Sequence, residues 1–173
     1  MKKTTKYEGF LKVTEIEDVN KNGTPIKREI MSRATGGKSD DVVAGLLFDT
    51  EKKVYYFVKQ YRAGVLPKDR YLIEAMAGTI DVGESPQESF EREAVEEVGF
   101  ECNEVVTIGS LYTSPGGTTE RVHLFFGAGT RTSEGGGLEE ENEDIEILEY
   151  TKDELREVGI SDMKTSYLIN IFT

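Results

Sequence analysis

The sequence predicts an α/β domain, preceded by a small N-terminal β-sheet. Three observations lead there. Short apolar runs at residues 42–48 and 54–61 are bounded by turn residues, as buried strands are. A capped, amphipathic helix is written into the middle of the chain, and an apolar segment containing Leu168, Ile169, Ile171 and Phe172 ends it as a packed helix would. At 173 residues the chain is one fold by length, able to bury roughly 70% of its unfolded surface without disulfide or metal staples. Within it, residues 1–40 form the N-terminal β unit, a candidate for dimerisation, and residues 41–173 the main domain.

Taken in order, residues 9–19 alternate loosely around Phe10, Val13 and Ile16, a turn follows at residues 20–23, and residues 26–34 extend again. These strands carry too few apolar residues to stand alone and must pack on something. Lys27-Arg28-Glu29 lies on the second of them. It is either a solvent-facing charge row or the place where Arg28, a planar bidentate donor, meets a phosphate. After a loop at residues 35–40, the runs 42–48 and 54–61 form a hairpin about a turn at residues 49–53. Arg62 follows in KQYRAG, at a strand end from which a side chain reaches a ligand. Residues 71–75 make a further strand leading to Met76-Ala77-Gly78.

The central helix starts at Ser85. Its hydroxyl caps the first turn, Pro86 suits the first helical position, and Glu88 completes an S-x-x-E capping box. Gly99 stands where a left-handed residue would end it, and Phe90, Ala94 and Val98 give one buried stripe. Beyond it, residues 104–113 and 121–129 read as strands about the turn Ser114-Pro115-Gly116-Gly117. Residues 131–144 form a glycine-rich acidic loop, suited to a lid or to a disordered connection. A strand at 145–149 follows, then a capping box at Thr151 and Glu154 starting a helix that stops near Gly159, then the final helix within 160–173.

Carboxylates crowd one side of the central helix. Glu93, Glu96 and Glu97 are three and four apart and Glu84 sits just before the cap, an arrangement that opposes helix formation and that Arg92 relieves only in part. A divalent cation would remove the penalty. Oxygen donors without His or Cys suit Mg2+, with Mn2+ as its substitute; a solvated acidic face is the plain alternative.

The formal net charge of −12 argues against a nucleic-acid partner, which calls for clustered Lys and Arg. No apolar run approaches the roughly 20 residues that span a bilayer, so no membrane partner is expected. The basic start at Lys2 and Lys3 is followed by polar residues where a leader would be apolar, and the single Cys102 fits a reducing compartment. A cytoplasmic location is the expectation. Cys102 is read as a packing residue and the sole histidine, His123, as a packed or surface one, with no partner beside them for nucleophilic chemistry.

Residues 78–100, GTIDVGESPQESFEREAVEEVGF, carry a longer pattern: Gly78, five residues, Glu84, seven residues, then Arg92-Glu93-Ala94-Val95-Glu96-Glu97-Val98-Gly99-Phe100. This resembles, at every fixed position, the box of the Nudix hydrolases. The resemblance implies an α/β/α sandwich with a mixed β-sheet and metal-dependent cleavage of a nucleoside diphosphate linked to another group. It makes Glu93 and Glu97 the main metal ligands, with the Ala77 carbonyl and a lid glutamate, Glu143 or, second, Glu141. Glu96 is accessory and Arg92 orients the carboxylates, completing the catalytic set. KQYRAG and the segment LYTSPGGTTE resemble the nucleotide-sugar branch, which implies substrate contacts from Arg28, Glu29, Arg62, Gly78, Glu120 and Lys164, and a homodimer joined through the N-terminal sheet. Met76 stands where ADP-ribose pyrophosphatases commonly have proline, which favours a GDP-mannose-like substrate over ADP-ribose. The alternative is a Nudix-fold sensor that binds a nucleotide sugar without cleaving it.

Overall fold

A computed structural model describes residues 1–34, 38–65, 70–137 and 144–172. Strands β1 (Lys2–Glu8), β2 (Lys12–Val19) and β3 (Pro25–Ser32) form a three-stranded antiparallel sheet in the order β1-β2-β3. β1 is exposed along its whole length, a strand that the polar sequence there did not announce. Backbone hydrogen bonds tie β3 to the main domain: the Met31 N–H donates to the Gly117 carbonyl at 2.9 Å and the Thr119 N–H to the Met31 carbonyl at 3.1 Å.

The main sheet has seven strands. β4 (Lys38–Asp49), β5 (Tyr55–Tyr61), β8 (Phe100–Tyr112), β9 (Arg121–Arg131) and β10 (Ile145–Tyr150) run in the order β10-β5-β4-β9-β8, while β6 (Tyr71–Glu74) pairs with β5 and β7 (Met76–Asp81) with β4. β4 and β9 are parallel and every other pair is antiparallel, so the sheet is mixed. β4 and β5 share register only at Leu47–Tyr56 and Phe48–Tyr55. Beyond that they part, and one extended run fills the gap by changing partner at Ala75, from β5 on one side to β4 on the other.

Alternation along the strands sends side chains to two cores, one per face. Val43, Leu47, Tyr56, Val58 and Phe125 pack with Phe90, Ala94 and Val98 of the central helix. Ala44, Leu46, Phe57 and Leu124 pack on the opposite face with Leu155 and Leu168 near the C-terminus. The result is the expected α/β/α sandwich. Gly45 lets the helix lie close, since a Cβ there would stand 2.2 Å from the Phe90 ring.

Besides β1, several elements differ from the reading of the sequence, among them β7, a strand where only a segment leading into the helix was expected. The central helix is not regular: α1 (Pro86–Glu93) passes into a five-residue π-helical turn at Ala94–Val98, where the Gly99 N–H reaches both the Ala94 and Val95 carbonyls. The Thr151–Glu154 box forms as written, with the Thr151 N–H donating to Glu154 at 2.8 Å, but supports only a 3-10 turn at Glu154–Arg156 because Gly159 follows so soon. β4 starts at Lys38, inside the expected loop. The last helix, α2, spans Met163–Phe172. No helix among the described residues is long and apolar enough to cross a membrane.

Candidate active site

The site begins with how α1 is anchored. The Ser85 hydroxyl accepts from the Glu88 N–H at 3.3 Å and the Glu88 carboxylate accepts from the Ser85 N–H at 2.8 Å, so both halves of the capping box are made. With that end fixed and Phe90 buried on the sheet, the following turn meets β7 at Ala77 and Gly78.

Arg92 is the hub of the exposed side. It donates to Glu84 at 2.9 and 3.1 Å, to Glu93 at 2.9 Å, to Glu96 at 2.8 Å and to the Thr79 carbonyl at 3.1 Å. One planar cation thus serves three carboxylates in the fork geometry that suits guanidinium. The Glu84 hydrogen bonds lead in raising the Arg92 pKa, with the other carboxylates adding to them against partial burial. Arg92 in turn holds Glu84 below the usual carboxylate range.

Glu93 turns over the backbone of β7. A Cβ on Gly78 would lie 1.9 Å from the Glu93 Cδ, so the glycine is the space that the carboxylate occupies. Glu97 goes deeper. Only 2% exposed, it accepts from the Gln60 amide at 3.1 Å and from the Ala77 N–H at 3.3 Å. A carboxylate buried this far is stable only where donors or cations compensate it.

These donors fit a hard divalent ion. Two carboxylates from one helical turn converge on the Ala77–Gly78 backbone, with no sulfur or imidazole among them, as Mg2+ sites that also use substrate phosphate do. Among the described residues no group of three His, Cys, Asp or Glu side chains is placed to hold a metal by itself. Glu143 and Glu141, expected from the lid, lie outside the described residues.

A second cluster adjoins the first at the end of β5. Gln60, near the end of β5, and Arg62, just past it, are two residues apart. Arg62 pairs with the buried Glu74 at 2.6 and 3.2 Å, and Lys164 pairs with Asp162 at 2.8 Å and with Glu74 at 3.5 Å. Burial works to lower the Arg62 pKa, but the Glu74 hydrogen bonds and then the charges of Glu74, Glu97 and Asp162 outweigh it. Glu97 therefore lies within electrostatic reach of Arg62.

The other expected contacts lie elsewhere. Glu120 accepts from the Thr113 hydroxyl at 2.9 Å and pairs with Arg33 at 3.1 Å, at the junction with the N-terminal sheet. Arg28 and Glu29 stand exposed on β3, beside a shallow depression shared with Glu15 and Lys27, and the Arg28 guanidinium donates to the Lys27 carbonyl. Within one chain, among the described residues, no hydrogen bond or ion pair joins them to the helix carboxylates. His123 sits 2.9 Å from Asp41, which also pairs with Arg121 at 2.5 Å. Burial pushes the Cys102 thiol up to about 12, an inert packing residue as expected.

Gln60, Glu74, Asp162 and Arg33 were missed from sequence. Gln60 was legible as the buried-strand polar residue two before Arg62; Asp162 had the cap spacing to Thr165, whose N–H and hydroxyl donate to it at 2.9 and 2.7 Å. Glu74 and Arg33 carry no local signal, since their partners are distant in the chain.

The family model of the NUDIX domain matches residues 38–165. GDP-mannose pyrophosphatase of Cronobacter sakazakii is 39% identical over 153 residues, covering 83% of this chain and 75% of that protein. The Salmonella arizonae protein of the same name is 37% identical over 162 residues, covering 87% and 80%, and that of Escherichia coli K12 is 36% identical over 154 residues, covering 83% and 76%. Among solved structures, an ADP compounds hydrolase superposes with a TM-score of 0.74 at 19% identity, covering 99% of this chain and 92% of its own, a likeness of fold.

Proposed function

This chain belongs to the Nudix family, and from that premise we propose that it hydrolyses the diphosphate bond of a nucleoside diphosphate sugar, giving a nucleoside monophosphate and a sugar phosphate. The relatives called GDP-mannose pyrophosphatase make a GDP-mannose-like sugar nucleotide the first substrate to try and ADP-ribose the next. One observation carries the reading: Glu97 is buried against Gln60 and the Ala77 backbone while Glu93 fills the space over Gly78, so two carboxylates of one turn are aimed at one stretch of β7.

Glu93, Glu97 and the Ala77 carbonyl would hold Mg2+, or Mn2+ in its place, with Glu96 accessory and Glu143, or Glu141, added from the lid. When bound, the ion supplies neutralising charge to the diphosphate oxygens and lowers the pKa of an attacking water. The chain's own residues do the rest. Arg92 keeps Glu84, Glu93 and Glu96 from repelling one another. Arg62 and Lys164 hold phosphate, and Gly78, through its backbone beside Glu93, and Glu120, from the junction with the N-terminal sheet, are further substrate contacts. Arg28 and Glu29 reach substrate across a homodimer formed by the N-terminal sheet, whose exposed β1 and Val19 side chain leave surface for a second copy. A cytoplasmic setting agrees with the single cysteine.

Incubation of the pure protein with GDP-mannose, ADP-ribose and UDP-glucose plus Mg2+, with monophosphates read by chromatography, tests the proposal. Turnover of at least one supports it. No product from any of the three, with and without Mn2+, would sink it.

A further inference from the structure

We infer that Glu74 is a positioning residue that binds Arg62 and Lys164 into a single diphosphate clamp. The inference rests on the reading above that these two cations face substrate phosphate, and it assigns the group that makes them act together.

Glu74 closes β6 one residue before the run changes partner at Ala75, and it is 3% exposed. Both of its oxygens are used. Oε1 accepts from the Arg62 Nε at 2.6 Å, and Oε2 lies 3.2 Å from the Arg62 Nη2 and 3.5 Å from the Lys164 Nζ. The two cations come from the end of β5 and the start of α2, more than a hundred residues apart in the chain, and this carboxylate contacts both. Asp162 fixes Lys164 from the other side at 2.8 Å while capping α2 through Thr165.

The pairing leaves the cations usable. Arg62 remains 39% exposed and its Nη1 takes no part in the Glu74 pair, while Lys164 remains 20% exposed. Here only the anion is buried. Two long side chains that would otherwise lose rotamer freedom when ligand binds are already ordered, which is the general route by which preorganisation strengthens binding. The clamp also adjoins the helix carboxylates, since Gln60, two residues before Arg62, donates to Glu97.

Calorimetric titration with pyrophosphate in the presence of Mg2+ reads the clamp without turnover. Pyrophosphate is expected to bind about tenfold more weakly to Glu74→Gln, which keeps the shape but not the charge. In an Arg62→Met/Lys164→Met background the same substitution should change the affinity no further, because the cations that it positions are gone. On a sugar nucleotide that is turned over, Glu74→Gln should raise KM by a similar factor with kcat within about twofold. An unchanged pyrophosphate affinity, or a loss that persists in the double background, overturns the clamp, as does failure of the unaltered protein to bind pyrophosphate at all. If Glu74→Gln does not fold, Glu74→Asp, which draws the charge back by one methylene, should weaken binding severalfold, and an unchanged affinity there counts equally against the proposal. Glu74-dependent pyrophosphate binding without hydrolysis of any sugar nucleotide would instead leave the clamp standing and bring down the proposed reaction.

Discussion

At the scale of single residues, the site depends on where carboxylates are placed rather than on unusual chemistry. Glu97→Gln keeps the Gln60 and Ala77 contacts possible but removes the charge, and turnover is expected to fall by about 10²-fold or more while the fold persists, checked by kcat together with circular dichroism. A sensor would lose metal affinity and nothing else. Gly78→Ala tests position alone: the new methyl must displace Glu93, and a displacement of about 1 Å is expected to lower kcat by about 10²-fold, with Tm almost unchanged because a side-chain end does the yielding. Away from the site, Asp49 shows the pH dependence of the scaffold. Burial raises its pKa, but the Lys52, Glu51 and Arg131 N–H groups and the Tyr56 hydroxyl outweigh that and leave it lowered. Its stabilisation is therefore full above the ordinary Asp pKa of about 3.9 and is lost as pH falls through the lower folded value. Asp49→Asn should cost about 2 kcal/mol at pH 7, and the gap in Tm between variant and parent should close on acidification below about pH 4.

At the scale of elements, α1 was legible because its start is spelled out by local chemistry. Ser85→Ala removes one half of the box and is expected to cost about 1 kcal/mol, or about 2–4 °C in Tm by thermal unfolding, with kcat preserved since Phe90 still seats the helix. The π-helical turn was not legible. Phe90, Ala94 and Val98 satisfy a four-residue spacing whether the last turn is α or π, and what separates the two is where Glu97 ends up, which depends on Gln60 and Ala77 far away in sequence. Likewise the Thr151 box correctly gave a start but not a length, because Gly159 cuts off the apolar repeat that would have paid for a helix. The buried strands β4 and β5 were readable from their apolar runs, whereas β7 was not read as a strand, and exposed β1 has no such pattern and forms by pairing with β2.

At the scale of the whole molecule, the sequence signalled the sandwich only through the resemblance; the order of strands, and with it the company of Arg62, Glu74 and Lys164, arises from long-range pairing that no local pattern encodes. Light scattering is expected to return twice the 19.3 kDa chain mass if the N-terminal sheet joins two copies. A monomer at micromolar concentration would remove Arg28 and Glu29 from the site. The changeover at Ala75 reaches further than its one residue. Where a strand leaves one neighbour for the next, its amide belongs to neither, and here the Ala75 N–H is met by the Thr165 hydroxyl of α2 at 2.7 Å. The tail of the chain thereby acts as a bolt across the seam of the sheet. Cutting the protein short before residue 163 would touch no box glutamate, yet it should unfasten the backbone on which they converge and abolish activity along with cooperative melting.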